Sequence, residues 1–310
     1  MNSLAVTLGD PRGIGPEVTA KALAAADLHD VTVRVTGPVE FAADFRDVCR
    51  YEALEGGAAG LAPGRAAGLA IERAVQWALT GEVDALVTAP VHKPALEEAG
   101  YHPGHTEMLM ALSGAPRVGM LMCDEGPGGE GARPAKRVLL ATTHIPLARV
   151  PDAVTAELLV AQTRLLAAAL HSDWRLPTPR IALCALNPHA SDEGLFGSEE
   201  HEVYGPALAT LENGPWSVTG PVPADTVFGR AFAGEFDAVV APYHDVGMAA
   251  FKTAAFGQGV NVTIGLPFVR TSPDHGTAFD IAGKGVADAS SMVEAIRLAI
   301  RLARGRHGMA

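Results

Sequence analysis

Cysteine is scarce in this chain. Cys49, Cys123 and Cys184 are the only three in 310 residues, they lie far apart, and none belongs to a C-x-x-C pair. That excludes a disulfide framework and leads us to expect reduced thiols in a cytoplasm. Aromatic residues make up only 5%, so any core must rest on Ala, Val, Leu and Ile. Basic residues are in deficit: 24 Lys and Arg stand against 35 Asp and Glu, for a formal net charge of −11. Such a chain is a poor candidate for binding nucleic acid or an anionic membrane surface. Any anionic substrate must be held by local cations against the global field. No run approaches the ~20 apolar residues of a membrane span. The first ten residues, MNSLAVTLGD, lack the basic stretch and apolar run of a signal peptide. There is no Walker sequence, and the dinucleotide fingerprint G-x-G-x-x-G fails after Gly13 and Gly15, because Val18 stands at the third glycine.

What is present alternates. Apolar runs at 4–8, 31–36, 84–89, 138–142, 181–186 and 238–241 read as strands, and 218–224 as an extended segment broken by proline. Helical spacing covers 16–26, 64–80, 151–170, 199–211 and 290–304, and Gly104-His105-Thr106-Glu107 opens another helical stretch. Strands alternating with helices predict a mainly parallel sheet in an α/β fold. Length favours one large α/β domain or two lobes. Residues 123–136, CDEGPGGEGARPAK, read as an exposed connector between two strands. The strand at 4–8 runs into Gly9-Asp10-Pro11-Arg12-Gly13-Ile14-Gly15-Pro16, a turn before a helix N-terminus that suits either a ligand or plain structure.

The stretch 237–285 gathers most of the candidate chemistry. It holds His244, Asp245, Lys252, Asn261, Arg270 and His275 among apolar residues and glycine. His244 shares its context with His144 and His189: each comes just past the end of an apolar strand. In parallel α/β folds those ends line the ligand crevice. One such histidine is usually structural; three at equivalent places suggest a shared metal site with open coordination positions. Asp245, adjacent to His244, could orient it or accept a proton, and Asp225 is a second acceptor; either also fits an ordinary turn or cap. Lys252, Asn261 and Arg270, nine residues apart, suit an anion.

With these residues in view, the chain resembles the 4-hydroxythreonine-4-phosphate dehydrogenase family of pyridoxal phosphate biosynthesis. GDPRGIGPE, TAPVHK, GHTE, TTHIPL, NPHA, GPVPADT, YHD and GVNVTIGLPFVRTSPDHGTA carry the resemblance over nearly the whole length. HGTAFDIAGKG is also similar to the adenosine-side loop of isocitrate and isopropylmalate dehydrogenases. The resemblance implies the isocitrate/isopropylmalate dehydrogenase type of α/β fold, two lobes with a cleft between them. We expect residues 1–108 plus 268–310 in the lobe with the cofactor-side loop. Residues 109–267 are expected in the lobe with the metal ligands and dimer interface. It further implies a cytoplasmic homodimer with shared active sites. His144, His189 and His244 would hold a divalent metal, zinc first, with magnesium, cobalt or manganese as alternatives.

His105, Thr106, Lys252, Asn261 and Arg270 are implied to contact a small phosphorylated hydroxy acid. His105, Asp225 and Asp245 would serve near the reacting centre. His275, Gly276, Thr277, Ala278 and Asp280 would bind NAD, with NADP as alternative. The implied reaction is oxidation of 4-phosphohydroxy-L-threonine to a 3-oxo acid that decarboxylates. A related branch would take D-threonate or D-erythronate 4-phosphate, and a three-histidine metal hydrolase or a phosphometabolite sensor stands outside the family reading. Four places depart from the family pattern: Arg12 replaces a small residue, Ser191-Asp192-Glu193 a glycine-rich run, Val246 and Met248 differ after YHD, and 123–136 is unusual. Such changes are expected to retune the pocket where it faces the substrate amine.

Overall fold

The computed structural model describes residues 2–55, 60–102, 104–126 and 133–308. Eleven strands run through them: β1 (Asn2–Thr7), β2 (Val31–Pro38), β3 (Arg50–Leu54), β4 (Ala85–Thr88), β5 (Gly119–Asp124), β6 (Lys136–Leu140), β7 (Arg180–Cys184), β8 (Ser217–Val222), β9 (Ala238–Ala241), β10 (Val260–Ile264) and β11 (Val269–Pro273). The chain divides into two compact α/β units, 1–118 with 257–310, and 119–256. The junctions differ from the expected 108/109 and 267/268 because the His105–Ser113 helix packs on the Pro63–Leu79 helix, while β10 pairs with β11.

In the first unit the strand order is β3-β2-β1-β4-β11-β10. All neighbours are parallel except β10 and β11. Every residue of β4 and β11 is buried, as expected of strands covered on both faces. The Pro63–Leu79 helix lies on β1, β2 and β4, and the Ser290–Arg306 helix on β11, β4 and β1. The Pro63–Leu79 helix also packs closely on the Lys93–Glu98 helix, where a Cβ on Gly64 would stand 1.7 Å from the Ala95 carbonyl oxygen.

The second unit orders its strands β5-β6-β9-β7-β8. β6, β9, β7 and β8 are parallel, so their C-terminal ends share one edge; β5 runs antiparallel to β6. Val138, Leu140, Val239, Ala241, Phe228 and Phe251 form the centre of its core. The His244–Ala255 helix sits on β6 and β9 through Gly247, where a Cβ would lie 2.5 Å from Leu140 Cδ2.

Several sequence expectations change here. The helix expected over 151–170 is two, Val150–Ala153 and Ala156–Ser172; the stretch from Leu147 to Ala153 meets the second at 87°. Val154 is extended, and Thr155 caps the second helix by accepting the Leu158 N–H. Among the described residues no single helix is long and apolar enough to cross a membrane. The stretch expected as one helix over 199–211 begins as a π-helical turn, Glu200–Tyr204, before Gly205–Leu211. Of the expected exposed connector, Cys123 and Asp124 finish β5 and Lys136 starts β6, all buried. Asp124 accepts from Lys136 at 2.8 Å and pairs with Arg133, and Glu125 accepts from Arg137 and Trp174 Nε1 at 2.7 Å. These ion pairs hold the two strand ends together; residues 127–132 lie outside the described residues.

Candidate functional site

The second unit sets its three candidate histidines along one sheet edge. His144 follows β6, His244 follows β9, His189 follows β7, and Asp225 opens the Ala224–Phe232 helix after β8. Strand order therefore makes His144 and His244 neighbours, and their ring centroids are 5.6 Å apart with planes tilted by 40°. His244 Nδ1 donates to Asp245 Oδ1 at 2.7 Å. That bond fixes the tautomer and leaves the Nε2 lone pair free to coordinate. Both rings line a cavity of about 130 Å³ with Thr142, Tyr243 and Asp245. Two imidazoles at this separation, one oriented by a carboxylate, form a donor set that a divalent transition metal fits.

His189 stands apart from the pair. It is exposed, with its ring 6.3 Å from that of Phe196. Among the described residues of one chain, no three His, Cys, Asp or Glu side chains meet closely enough to hold a metal ion. The backbone at two of the three candidate ligands is unusual: His144 and His189 both have φ of 54°. Ala190, Ser191, Asp192 and Glu193 continue in the left-handed region. Five consecutive L residues there cost about 1–2 kcal/mol each. Strain of this kind persists only where surrounding contacts hold it, and it gathers at functional positions. A glycine-rich run would adopt the same path at little cost, so the departure at Ser191-Asp192-Glu193 adds strain beside a candidate ligand.

The first unit carries two of the three anion candidates, Asn261 and Arg270. Arg270, on β11, is only 2% exposed and fully enclosed between two strands. Its guanidinium donates to Thr263 Oγ1 on β10 at 2.8 Å and to Thr88 Oγ1 on β4, and among the described residues its Nε has no partner. Burial pushes its pKa down to about 9, yet leaves it cationic at neutral pH. A buried cation satisfied by two neutral hydroxyls is poised for an anion. His105, first residue of its helix, is held well below the ordinary imidazole value by burial and then by the charges of Arg270 and Lys93. Its Nε2 and the Asn261 Oδ1 are likewise buried without partners. Thr106 lies in the same helical turn as His105. Three of the residues expected to contact substrate thus carry unsatisfied buried atoms in one unit. Lys252 and Asp225 belong to the other unit, half-buried and exposed respectively.

The expected cofactor loop is tied to the first glycine turn. Ile14 N–H donates to the Thr277 carbonyl at 2.9 Å, and a Cβ on Gly13 would come within 2.8 Å of the same oxygen. Arg12 is paired with Asp10 at 2.7 Å and lies 5.3 Å over the Phe279 ring, whose other neighbour is His92 at 5.3 Å. Ala278 adopts φ of 42°, while Gly276 and Asp280 are exposed and His275 Nε2 is buried without a partner among the described residues. A cavity of about 510 Å³ opens between Arg12, Glu17, Phe41, Gly283 and Gly285. Its size and its glycine walls suit part of a nucleotide.

Sequence reading missed Thr88 and Thr263 as partners of Arg270. Thr263 was findable: it lies two residues from Asn261 on the same face of a strand. Of the departures, Val246 and Met248 pack partly buried against the second unit's core. They lie in the helix–sheet interface, outside the cavity lined by His144 and His244.

Comparison with known proteins follows the same lines. A family model described as pyridoxal phosphate biosynthetic protein PdxA matches residues 6–299. A 4-hydroxythreonine-4-phosphate dehydrogenase of Chromobacterium violaceum is 41% identical over 325 residues, covering 97% of this chain and 96% of the relative. The crystal structure of the enzyme of that name from Klebsiella pneumoniae aligns with a TM-score of 0.85 at 37% identity, covering 98% and 100% of the two chains. A β-decarboxylating dehydrogenase of Thermococcus kodakarensis shares the fold, with a TM-score of 0.53 at 15% identity, covering 97% and 84%.

Proposed function

This chain belongs to the PdxA family of pyridoxal phosphate biosynthetic proteins, and on that premise we propose that it oxidises 4-phosphohydroxy-L-threonine with NAD. The secondary alcohol becomes a ketone, hydride passes to the nicotinamide and a proton is released. The resulting 3-oxo acid loses CO2 to give 3-amino-2-oxopropyl phosphate. The observation that carries the reading is the enclosed Arg270, with an unpartnered Nε and two hydroxyl partners, in the same unit as the unpartnered His105 Nε2 and Asn261 Oδ1. That set asks for a ligand that is anionic and rich in hydrogen-bonding oxygen.

Each residue then has a task. Arg270 and Lys252 supply the local cations that hold a phosphorylated acid against a net charge of −11. His105, kept neutral by burial, hydrogen-bonds a substrate oxygen through Nε2 without adding charge, and Thr106 and Asn261 complete the grip. Asp245 orients His244, and Asp225 and Asp245 are acceptors for the hydroxyl proton. His275, Gly276, Thr277, Ala278 and Asp280 hold the cofactor. Thr277 adjoins the glycine turn through the bond from Ile14, and Phe279, between Ala278 and Asp280, lies under Arg12. His144, His189 and His244 would hold a divalent metal, zinc first, which would supply Lewis acidity toward the substrate hydroxyl and the keto oxygen, and NAD would supply the hydride acceptor.

The separation of His189 from the other two histidines supports a homodimer in which two subunits complete each metal site. Apolar side chains flank the candidate ligands in exposed positions: Leu147 at 66%, Leu195 at 72% and Phe196 at 47%. Large exposed apolar groups of this kind suit a subunit interface. Three widely spaced cysteines, none in a C-x-x-C pair, accord with a cytoplasmic location.

A side-by-side assay at the reduced-nicotinamide absorbance, with phosphorylated hydroxythreonine and phosphorylated D-threonate, tests the reading. Faster reduction with the amino substrate is expected. Preference for the hydroxy analogue moves the chain to the sugar-acid branch, turnover without NAD makes it a hydrolase, and binding without turnover makes it a sensor.

A further inference from the structure

Glu200 is a carboxylate in an uncommon place. It is only 6% exposed, and no cation pairs with it among the described residues. Three N–H donors satisfy it instead. Oε1 accepts the backbone N–H of Leu186 at 2.9 Å and of Asn187 at 2.7 Å, and Oε2 accepts Asn187 Nδ2 at 2.9 Å. Asn187 Nδ2 also donates to Glu199 Oε2 at 2.7 Å. Asn187 and Pro188 are the two residues immediately before His189, where the backbone turns left-handed.

A second tie runs from the same π-helical turn. Tyr204, fully buried, donates its hydroxyl to the Cys184 carbonyl at 2.8 Å, at the end of β7. The π-turn therefore grips the outgoing strand twice, once at its last residue and once just before the candidate ligand. Gly197 seals the arrangement: it has φ of 137°, and a Cβ there would lie 2.6 Å from both Asn187 Nδ2 and Glu199 Oε2.

We propose that Glu200 is a positioning residue for His189, holding the Asn187–Pro188 segment so that the left-handed turn presents the imidazole to the metal. The inference rests on the reading of His189 as a ligand. A carboxylate that collects backbone N–H groups behind a ligand fixes its direction before metal arrives, and loss of such support typically lowers metal affinity 10–100-fold. Glu200→Gln is the conservative variant, because its amide oxygen can still accept the Leu186 and Asn187 backbone donors. Glu200→Ala removes all three bonds and leaves those donors buried.

The test is a Co2+ titration of the full-length, metal-stripped protein, read by visible absorbance and by competition with a chelator, with circular dichroism and a thermal melt to establish folding. Glu200→Ala is expected to bind Co2+ 10–100-fold more weakly, with an altered spectrum, and Glu200→Gln to stay within a few-fold of wild type. A purely structural Glu200 would lower the melting temperature and leave the Co2+ affinity of the folded protein unchanged; that result overturns the proposal. Should Glu200→Ala fail to fold, Asn187→Ala cuts only the side-chain link and is expected to weaken Co2+ several-fold, and unchanged affinity there overturns it equally. His189→Ala separates the two readings. Wild-type Co2+ binding by that variant overturns the ligand assignment and this proposal with it. If His189→Ala loses Co2+ while Glu200→Ala keeps it, the proposal alone falls.

Discussion

Replacing Arg270 by Met tests whether its burial serves an anion. The guanidinium is held down to about 9 by desolvation. At about 1.4 kcal/mol per tenfold, that shift corresponds to roughly 5 kcal/mol carried by the ligand-free protein to keep the charge enclosed. Met has similar length and no charge, so Arg270→Met relieves that cost. It also strips Thr88 and Thr263 of a donor, at about 1–3 kcal/mol per hydroxyl left unpaired. The two effects nearly cancel, and the ligand-free variant should unfold within about 2 kcal/mol of wild type. For a unit of this size that is a shift of only several degrees in Tm. Anion binding behaves differently. Inorganic phosphate at millimolar concentration should raise the Tm of wild type and not that of the variant, and kcat/KM for phosphorylated substrate should fall at least 100-fold, or ~3 kcal/mol. Thermal melts with and without phosphate, together with initial rates, read both quantities. A variant that melts far lower, yet keeps the full phosphate-induced shift, would show that Arg270 is a structural tie between strands.

Four further outcomes are expected. His244→Ala should lose bound metal and at least 100-fold in activity while keeping its secondary structure and melting profile; elemental analysis showing full metal content would count against the pair as ligands. His105 is held below its ordinary 6.5, so the unfolded chain takes up more protons as pH falls. Its contribution is present above pH 6.5 and lost below it until the folded-state pKa is passed, so His105→Gln should flatten the fall of Tm with acidity, and equal slopes would refute the assignment. Gly247→Ala puts a methyl 2.5 Å from Leu140 Cδ2 and 3.0 Å from Ala241 Cβ, and should cost about 1–3 kcal/mol in urea unfolding; an unchanged midpoint would mean the helix seat is looser than it looks. Lys252→Ala should raise KM for phosphorylated substrate at least tenfold with a smaller effect on kcat, and an unchanged KM would remove Lys252 from the anion site.

How far the sequence alone could be read depended on the range of the interactions concerned. Central strands such as β4 and β9 announce themselves because burial on both faces demands an unbroken apolar run. The spacing of His144, His189 and His244 after such runs led to one sheet edge, because parallel strands must end together. β3 was missed: it is an outer strand with no fully buried residue, so no pattern marks it. The break at Val154 escaped because the apolar spacing continues straight through it and only the Thr155 cap stops the helix. Nor could the left-handed run at 189–193 be foreseen, since Ala, Ser and Glu ordinarily avoid that conformation, and the residue that leads into it, Asn187, is held by Glu199 and Glu200, 12 and 13 residues further on. The ionic clamp of Asp124, Arg133 and Lys136 hid inside what reads as a loop, because a charge-rich sequence looks alike whether solvated or paired.

One unit is continuous in the chain, 119–256, and the other is assembled from two distant pieces. β11 must slot in beside β4, and the Ser290–Arg306 helix must then cover both, before the first unit has a closed core. During synthesis the uninterrupted unit can therefore mature while its companion waits, with β4 exposed along one side, for the final stretch to leave the ribosome. A messenger cut short after residue 256 would thus yield a finished half bearing the histidine pair and an unfinished half lacking Arg270 altogether.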